Sequence, residues 1–263
     1  MYAFILERPT TVADAARLSA AGAKPLAGGQ TLLASMKLRL ASHEQLADLG
    51  GIKELSEIRR EGAAFVVGAM ARHADVGRNA DLKASLPALA DLAERIGDRQ
   101  VRTMGTLGGS VANNDPSACY PSAVLGLGAT IHTPSRKIAA DDFFQGMFTT
   151  ALEEGELITA ISFPIPKRAA YEKFKQGASR FPLVGVFVAQ FDSGVRVAIT
   201  GAASGVFRHA GLEAALSKSF TAESAAAVAI DSADLNSDLH GGPEYRANLI
   251  SVLTQRAVTK ALA

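Results

Sequence analysis

The chain holds one cysteine, Cys119, and no tryptophan. A single thiol excludes an internal disulfide, a cysteine-built zinc site and an iron–sulfur cluster carried by this chain. The five histidines, His43, His73, His132, His209 and His240, contain no i, i+4 pair, and none is nominated as a metal ligand, acid or base. No apolar run approaches the ~20 residues of a membrane span. Neither sign of charge prevails: 27 Lys and Arg stand against 26 Asp and Glu, a formal net charge of +1, which gives nucleic acid or an anionic membrane no reason to bind. The N-terminal stretch has no basic segment ahead of its apolar residues and meets Glu7-Arg8-Pro9 at once. It reads as mature protein, not a leader, and a reducing, cytoplasmic location fits the lone thiol. The fingerprints G-x-G-x-x-G and G-x-x-x-x-G-K-[ST] are both missing, which disfavours a Rossmann NAD domain and a P-loop NTPase.

What the chain does have is apolar bulk. Hydrophobic residues make up 48% of 263 and charged residues 20%, enough for a substantial core in one large domain or two smaller ones. Residues 2–7 read as a short strand that Pro9 stops, and Thr10 or Thr11 caps a helix through Ala20. Ala23 to Ala27 is the next strand. Leu32, Leu33, Met36, Leu38 and Leu40 predict one helical turn or a buried irregular segment. Residues 43–49 read as a strand, 52–60 as a short helix or turn, and 63–70 as a buried strand. From Arg72 to Asp98, Leu82, Leu86, Leu89, Leu92 and Ile96 recur by threes and fours, a helical pattern that Pro87 splits in two. Residues 184–191 and 194–200 read as a hairpin across Asp192-Ser193. ESAAAVAIDSA (223–233) and YRANLISVLTQRAVTKAL (245–262) read as helices. This alternation of elements predicts α+β or α/β layers.

Two glycine-rich stretches break the apolar texture. In the first, KPLAGGQTLLASMKLR (24–39), a strand runs into Gly28-Gly29 and then into an apolar periodic segment. Adjacent glycines turn the backbone through positive φ and admit close approach, and successive N–H groups there point at an anion. A phosphate cradle and an ordinary strand–turn–helix corner both fit. The second stretch, RQVRTMGTLGGSVANNDPSACYPSAVLGLGA (99–129), sets Gly105, Gly108 and Gly109 beside Thr106 and Ser110, then Asn113-Asn114-Asp115-Pro116. A polar, glycine-rich loop of that length inside an apolar chain points to ligand binding rather than mere connection.

AGGQTLL (27–33) followed by RTMGTLGGSVANNDP (102–116) resembles the paired flavin loops of the FAD-binding medium subunits of molybdenum hydroxylases, nearest the carbon monoxide dehydrogenase and aldehyde dehydrogenase types and more distantly xanthine dehydrogenase. RKIAADDFF (136–144), TALEEGELITAISFPIP (150–166), KFKQGASRFPLVGV (173–186) and EYRANLISVLTQRAV (244–258) continue the resemblance in order along nearly the whole chain. It implies an α+β protein: a vanillyl-alcohol-oxidase-type FAD-binding domain over residues 1–165, made of two α/β subdomains (about 1–55 and 56–165), and a smaller C-terminal α+β domain over 166–263. It implies FAD contacts through the backbone N–H groups of Ala27, Gly28, Gly29, Gln30 and Thr31, with Leu32 also at the cofactor. The facing loop would be Thr106 to Ser110, with Gly108 and Gly109 inside it and the Thr106 hydroxyl as a contact. Ile96 and Ile158 would lie near the cofactor, Asp115 close by, and Lys175 near the flavin ring. Relatives often carry an acid where this chain has Cys119, which reads here as a small buried apolar residue. The implied role is electron relay: two [2Fe–2S] clusters on a small partner subunit, molybdopterin on a large one, in a dimer of heterotrimers, with the flavin passing electrons to an external acceptor. The alternatives are a free-standing flavoprotein oxidase of the same superfold and a scaffold subunit with an emptied flavin site.

Overall fold

A computed structural model describes all 263 residues. Three main sheets follow one another along the chain, with a two-stranded one inserted within the second. The first is parallel, in the order β1-β3-β2. It comprises β1 (Ile5–Glu7), α1 (Val12–Ala20), β2 (Lys24–Leu26), α2 (Leu32–Lys37) and β3 (Gln45–Asp48). Thr11 caps α1, its hydroxyl accepting from the Asp14 N–H at 3.1 Å, which satisfies one of the helix's orphan donors.

The second sheet begins with β4 (Ile58–Glu61) and β5 (Ala64–Gly68). Six short helices then intervene: α3 (His73–Arg78), α4 (Ala80–Ser85), α5 (Pro87–Glu94), α6 (Arg99–Met104), α7 (Leu107–Asn113) and α8 (Tyr120–Gly126). The chain returns through β6 (Thr130–His132), β7 (Lys137–Ala139), α9 (Ala140–Phe143), the small hairpin β8 (Phe144–Gly146) and β9 (Thr149–Thr150), and β10 (Ala160–Pro164). The order is β4-β5-β10-β6-β7 with every neighbour antiparallel. This corrects the expected α/β character of the second subdomain. Its helices, apart from the single turn of α9 after β7, come as one block between β5 and β6, so no strand–helix–strand crossover creates parallel pairs.

The third sheet is a meander of β11 (Arg168–Lys175), β12 (Pro182–Phe191), β13 (Gly194–Thr200) and β14 (Phe207–Arg208), followed by α10 (Ala210–Lys218), α11 (Ala222–Ala226) and α12 (Pro243–Leu262). β12 is apolar at almost every position because both its faces are covered. Val184, Val186 and Val188 pack with Leu249, Ile250 and Leu253 of α12. Phe187 and Ala189 join the large core that contains Leu89, Leu92, Val124 and Phe163.

Four local expectations are corrected. The helical pattern over 72–98 is broken at Asn79 as well as Pro87, because Asn79 turns extended and caps α4 through the Leu82 N–H at 2.8 Å. Residues 53–56 form a 3-10 turn, but 58–61 are the edge strand β4. Leu38 and Leu40 are exposed, at 71% and 78%; α2 ends at Lys37 and carries them outward. Helix α11 stops at Ala226 instead of running to 233.

Candidate functional site

β2 delivers the chain into the first glycine turn, where Gly29 adopts φ +69°, a conformation open to glycine at no steric cost. The backbone N–H groups of Ala27, Gly28, Gly29, Gln30, Thr31 and Leu32 find no acceptor anywhere in the chain. Ala27, Gly28 and Gly29 are half-buried. Consecutive unpaired amides in a turn form a concave set of donors suited to an anion, and partly buried donors of this kind need a partner.

The second glycine stretch lies directly against the first. A β-carbon at Gly28 would run into the Met104 carbonyl oxygen and lie 2.8 Å from the Gly105 α-carbon. One at Gly109 would lie 3.3 Å from the Ala27 β-carbon. Backbone thus meets backbone, and only glycine permits it. The amides of the second loop are not free. Those of Leu107 and Gly108 donate to the carbonyls of Ala71 and Ala69, at 3.0 and 2.8 Å. The Gly109 N–H donates to the Thr106 hydroxyl at 3.2 Å and the Ser110 N–H to the Thr106 carbonyl at 3.1 Å. Thr106 is therefore the cap of α7. What remains without a partner is the Thr106 N–H and the Ser110 hydroxyl.

Ile158 is joined to this centre through Ala69. The Ala69 N–H donates to the Thr159 carbonyl at 2.9 Å, while the Ala69 carbonyl accepts from Gly108. Leu157 packs with Ala15, Leu49 and Ile52, and half-buried Ala27 packs against the same group. Ile158 belongs to the large core, so the segment runs from one hydrophobic cluster to the other. Glu156, just upstream, is pinned by Arg136 at 2.9 and 2.7 Å. Those hydrogen bonds outweigh burial and draw its carboxyl down to about 2.

Ile96 and Lys175 fall in a different group. Ile96 is half-buried, and its carbonyl accepts from Arg102 at 2.9 Å. Lys175 is exposed, paired with Pro182 in the β11–β12 ladder, and its ammonium makes no hydrogen bond or ion pair within the chain. Its neighbour two residues back had escaped sequence reasoning. Lys173 is 8% exposed, and its ammonium donates to the Arg95 carbonyl at 2.7 Å and the Arg180 carbonyl at 2.8 Å, with Cys119 Sγ at 3.5 Å. Burial pushes Lys173 below the usual lysine range, with Cys119 acting the other way. The alternation of β11, which turns Tyr171 inward, was the available signal for Lys173. Arg180 reaches the Gly97 carbonyl at 3.4 Å, so of the two neighbours of Ile96, Arg95 is tied to β11 and Gly97 to the segment after it. Asp115 Oδ1 accepts the Ser117 N–H at 2.8 Å and borders a cavity with Gln176, Phe181 and Arg246. Asn114 was also missed: in the left-handed region at φ +43°, it donates to the carbonyls of Gly146 and Thr149 and fastens the β8–β9 hairpin.

No cluster of His, Cys, Asp and Glu is arranged to hold a metal ion, and no helix is long and apolar enough to cross a membrane. The donor set at the paired glycine loops suits a diphosphate: a row of unpartnered amides, with no room for side chains where the two backbones touch.

Residues 2–166 match the family described as the FAD binding domain in molybdopterin dehydrogenase. The medium chain of carbon monoxide dehydrogenase from Afipia carboxidovorans is 38% identical, over 99% of this chain and 97% of that one. The medium subunit of nicotine 6-hydroxylase from Paenarthrobacter nicotinovorans is 32% identical, over 96% and 95%. Among solved structures, reconstituted CO dehydrogenase from Oligotropha carboxidovorans matches with a TM-score of 0.90 at 34% identity, covering 99% of this chain and 98% of that one. Quinoline 2-oxidoreductase from Pseudomonas putida 86 matches with a TM-score of 0.90 at 28% identity, covering 99% and 97%.

Proposed function

The chain belongs to the FAD-binding medium subunits of the molybdenum hydroxylases, and on that premise we propose that it holds FAD between its glycine loops and relays electrons from a partner's [2Fe–2S] clusters to an external acceptor. The observation that carries this reading is the unbroken run of six unpartnered amides from Ala27 to Leu32, backed by the second glycine loop. When bound, FAD supplies two-electron chemistry that also proceeds in single-electron steps.

The protein's part is position and electrostatics. The Ala27–Leu32 amides take the diphosphate, and the Ser110 hydroxyl and Thr106 N–H add donors from the facing side. Gly108 and Gly109 keep that loop close enough to serve. Ile96 and Ile158 present apolar surface, and Asp115 orders the loop before α8. Lys175, with Lys173 behind it, places positive charge in the region and favours added electrons on the ring. No acid or base in this chain is assigned to the reaction, and its one cysteine cannot by itself hold a cluster. The iron–sulfur clusters and the molybdopterin therefore belong to a small and a large partner, in a dimer of heterotrimers in the cytoplasm. In this reading residues 1–165 form the vanillyl-alcohol-oxidase-type FAD-binding domain and 166–263 the C-terminal domain.

Titration of the flavin-stripped protein with FAD, followed by absorbance, tests the proposal. Stoichiometric uptake is expected, with free FAD released on denaturation. The double variant Gly28→Val/Gly29→Val is expected to lose uptake. A folded protein that takes no FAD overturns the proposal, and FAD affinity retained by the double variant overturns the cradle.

A further inference from the structure

A second concave site lies behind the glycine loops. A cavity of about 260 Å³ is lined by His73 and Arg78 of α3, Glu94 of α5, and Arg99, Arg102 and Thr103 of α6. Its acid is already paired: Glu94 meets Lys83 at 2.7 Å. Arg102 turns one guanidinium nitrogen to the carbonyls of Ile96 and Gly97. Arg78 and Arg99 have no ion pair and no side-chain hydrogen bond.

His73 is the decisive wall. It is 5% exposed, and its Nδ1 is buried without a hydrogen-bond partner. Burial, aided by the charge of Arg102, holds the imidazole down at about 4. At neutral pH the ring is therefore uncharged, with one N–H to donate. Nδ1 is closed off from the cavity, with the Tyr120 ring packed against the imidazole at 5.3 Å between centroids, so the ring nitrogen left to meet a ligand is Nε2, which makes no hydrogen bond either. Two free guanidinium forks lining the same cavity match the several acceptor oxygens of a phosphate group. The cavity is smaller than the usual pocket for a drug-sized ligand, so it suits one phosphate group and not a whole dinucleotide.

The cavity and the cradle share a wall. A β-carbon at Gly105 would lie 2.5 Å from His73 Nε2, and the Gly105 α-carbon is one of the atoms that crowd Gly28. The His73 N–H also donates to the Gly105 carbonyl at 3.0 Å. We propose that this cleft is a second anion site, separate from the diphosphate cradle, that takes one phosphate group, free or at the end of a nucleotide, on Arg78, Arg99 and the His73 ring.

Calorimetric titration of the FAD-saturated protein with inorganic phosphate, and separately with ADP, tests it. One saturable site is expected, weakened at least about tenfold in Arg78→Gln/Arg99→Gln, with FAD content and melting temperature unchanged. Equal affinity for the two probes assigns free phosphate, and tighter ADP binding assigns a nucleotide end; both support the site. Absence of saturable binding, affinity unchanged in the double variant, or binding that disappears on FAD loading overturns it. If the protein takes no FAD, the same titrations of wild type and double variant still decide this site, because the cradle reading fails on absorbance alone.

Discussion

The α-carbon of Gly105 lies 2.8 Å from the point a β-carbon on Gly28 would occupy. Two loops far apart in sequence are thereby pressed together through bare backbone. The contact fixes how closely the two loops approach, and it makes Gly28 a steric requirement and not merely a flexible joint. Gly28→Ala is expected to cost roughly 1–3 kcal/mol by overpacking and to weaken FAD retention. Gly205 has open space around it, and Gly205→Ala is expected to leave both unchanged. Thermal melts and the flavin-to-protein absorbance ratio after gel filtration measure the two effects.

The two lysines of β11 separate by readout. Lys173→Met removes an ammonium that joins the carbonyls of Arg95 and Arg180, and about 2 kcal/mol or more of stability is expected to go with it. Lys175→Gln alters an exposed side chain, and its melting is expected to stay within about 0.5 kcal/mol of wild type. Its effect should appear in the flavin midpoint potential instead, shifted negative by loss of a nearby cation. A potential unmoved by Lys175→Gln removes that residue from the flavin environment.

Lys173 has Cys119 Sγ at 3.5 Å where an acid would give it a counter-charge. Cys119→Asp is expected to melt above Cys119→Leu at pH 7. The difference should vanish in the Lys173→Met background, with a coupling of about 0.5–3 kcal/mol in a double-mutant cycle.

Glu156 supplies a pH dependence of known sign. Its carboxyl is held at about 2 by hydrogen bonds from Arg136, against a reference of 4.5. As pH falls the unfolded chain takes up this proton first, so the contribution is complete above 4.5 and fades through about 2. In Glu156→Gln the fall in urea midpoint between pH 5 and 3 is expected to be shallower than in wild type. Parallel curves for the two proteins exclude this pair as a source of acid sensitivity.

Local signals carried much of the architecture. Alternation and β-branched content marked β12 and β13, Thr11 marked the start of α1, and Gly28-Gly29 marked the turn. Patterns that depend on context failed. Asn79 breaks a run of helical periodicity because its side chain caps the next helix. Leu38 and Leu40 follow the apolar rhythm of α2 yet face solvent, since periodicity does not say where a helix ends. The antiparallel order of the second sheet was equally hidden, because β5 pairs with β10 across the whole helical block.

The sequence by itself determined that this chain carries two glycine turns fit for close backbone approach and one thiol, too few for a metal cluster. These are properties of residue type, and folding cannot change them. Only the tertiary structure decided which amides stay free. The turn after β2 keeps all of its donors, while the Leu107–Ser110 amides are taken by Ala69, Ala71 and Thr106. It also decided that Lys173, not Lys175, is the buried cation, and that His73 lines one cavity with Arg78, Arg99 and Arg102. The reason is that hydrogen-bond satisfaction and burial depend on partners brought from distant parts of the chain, and no local pattern records them.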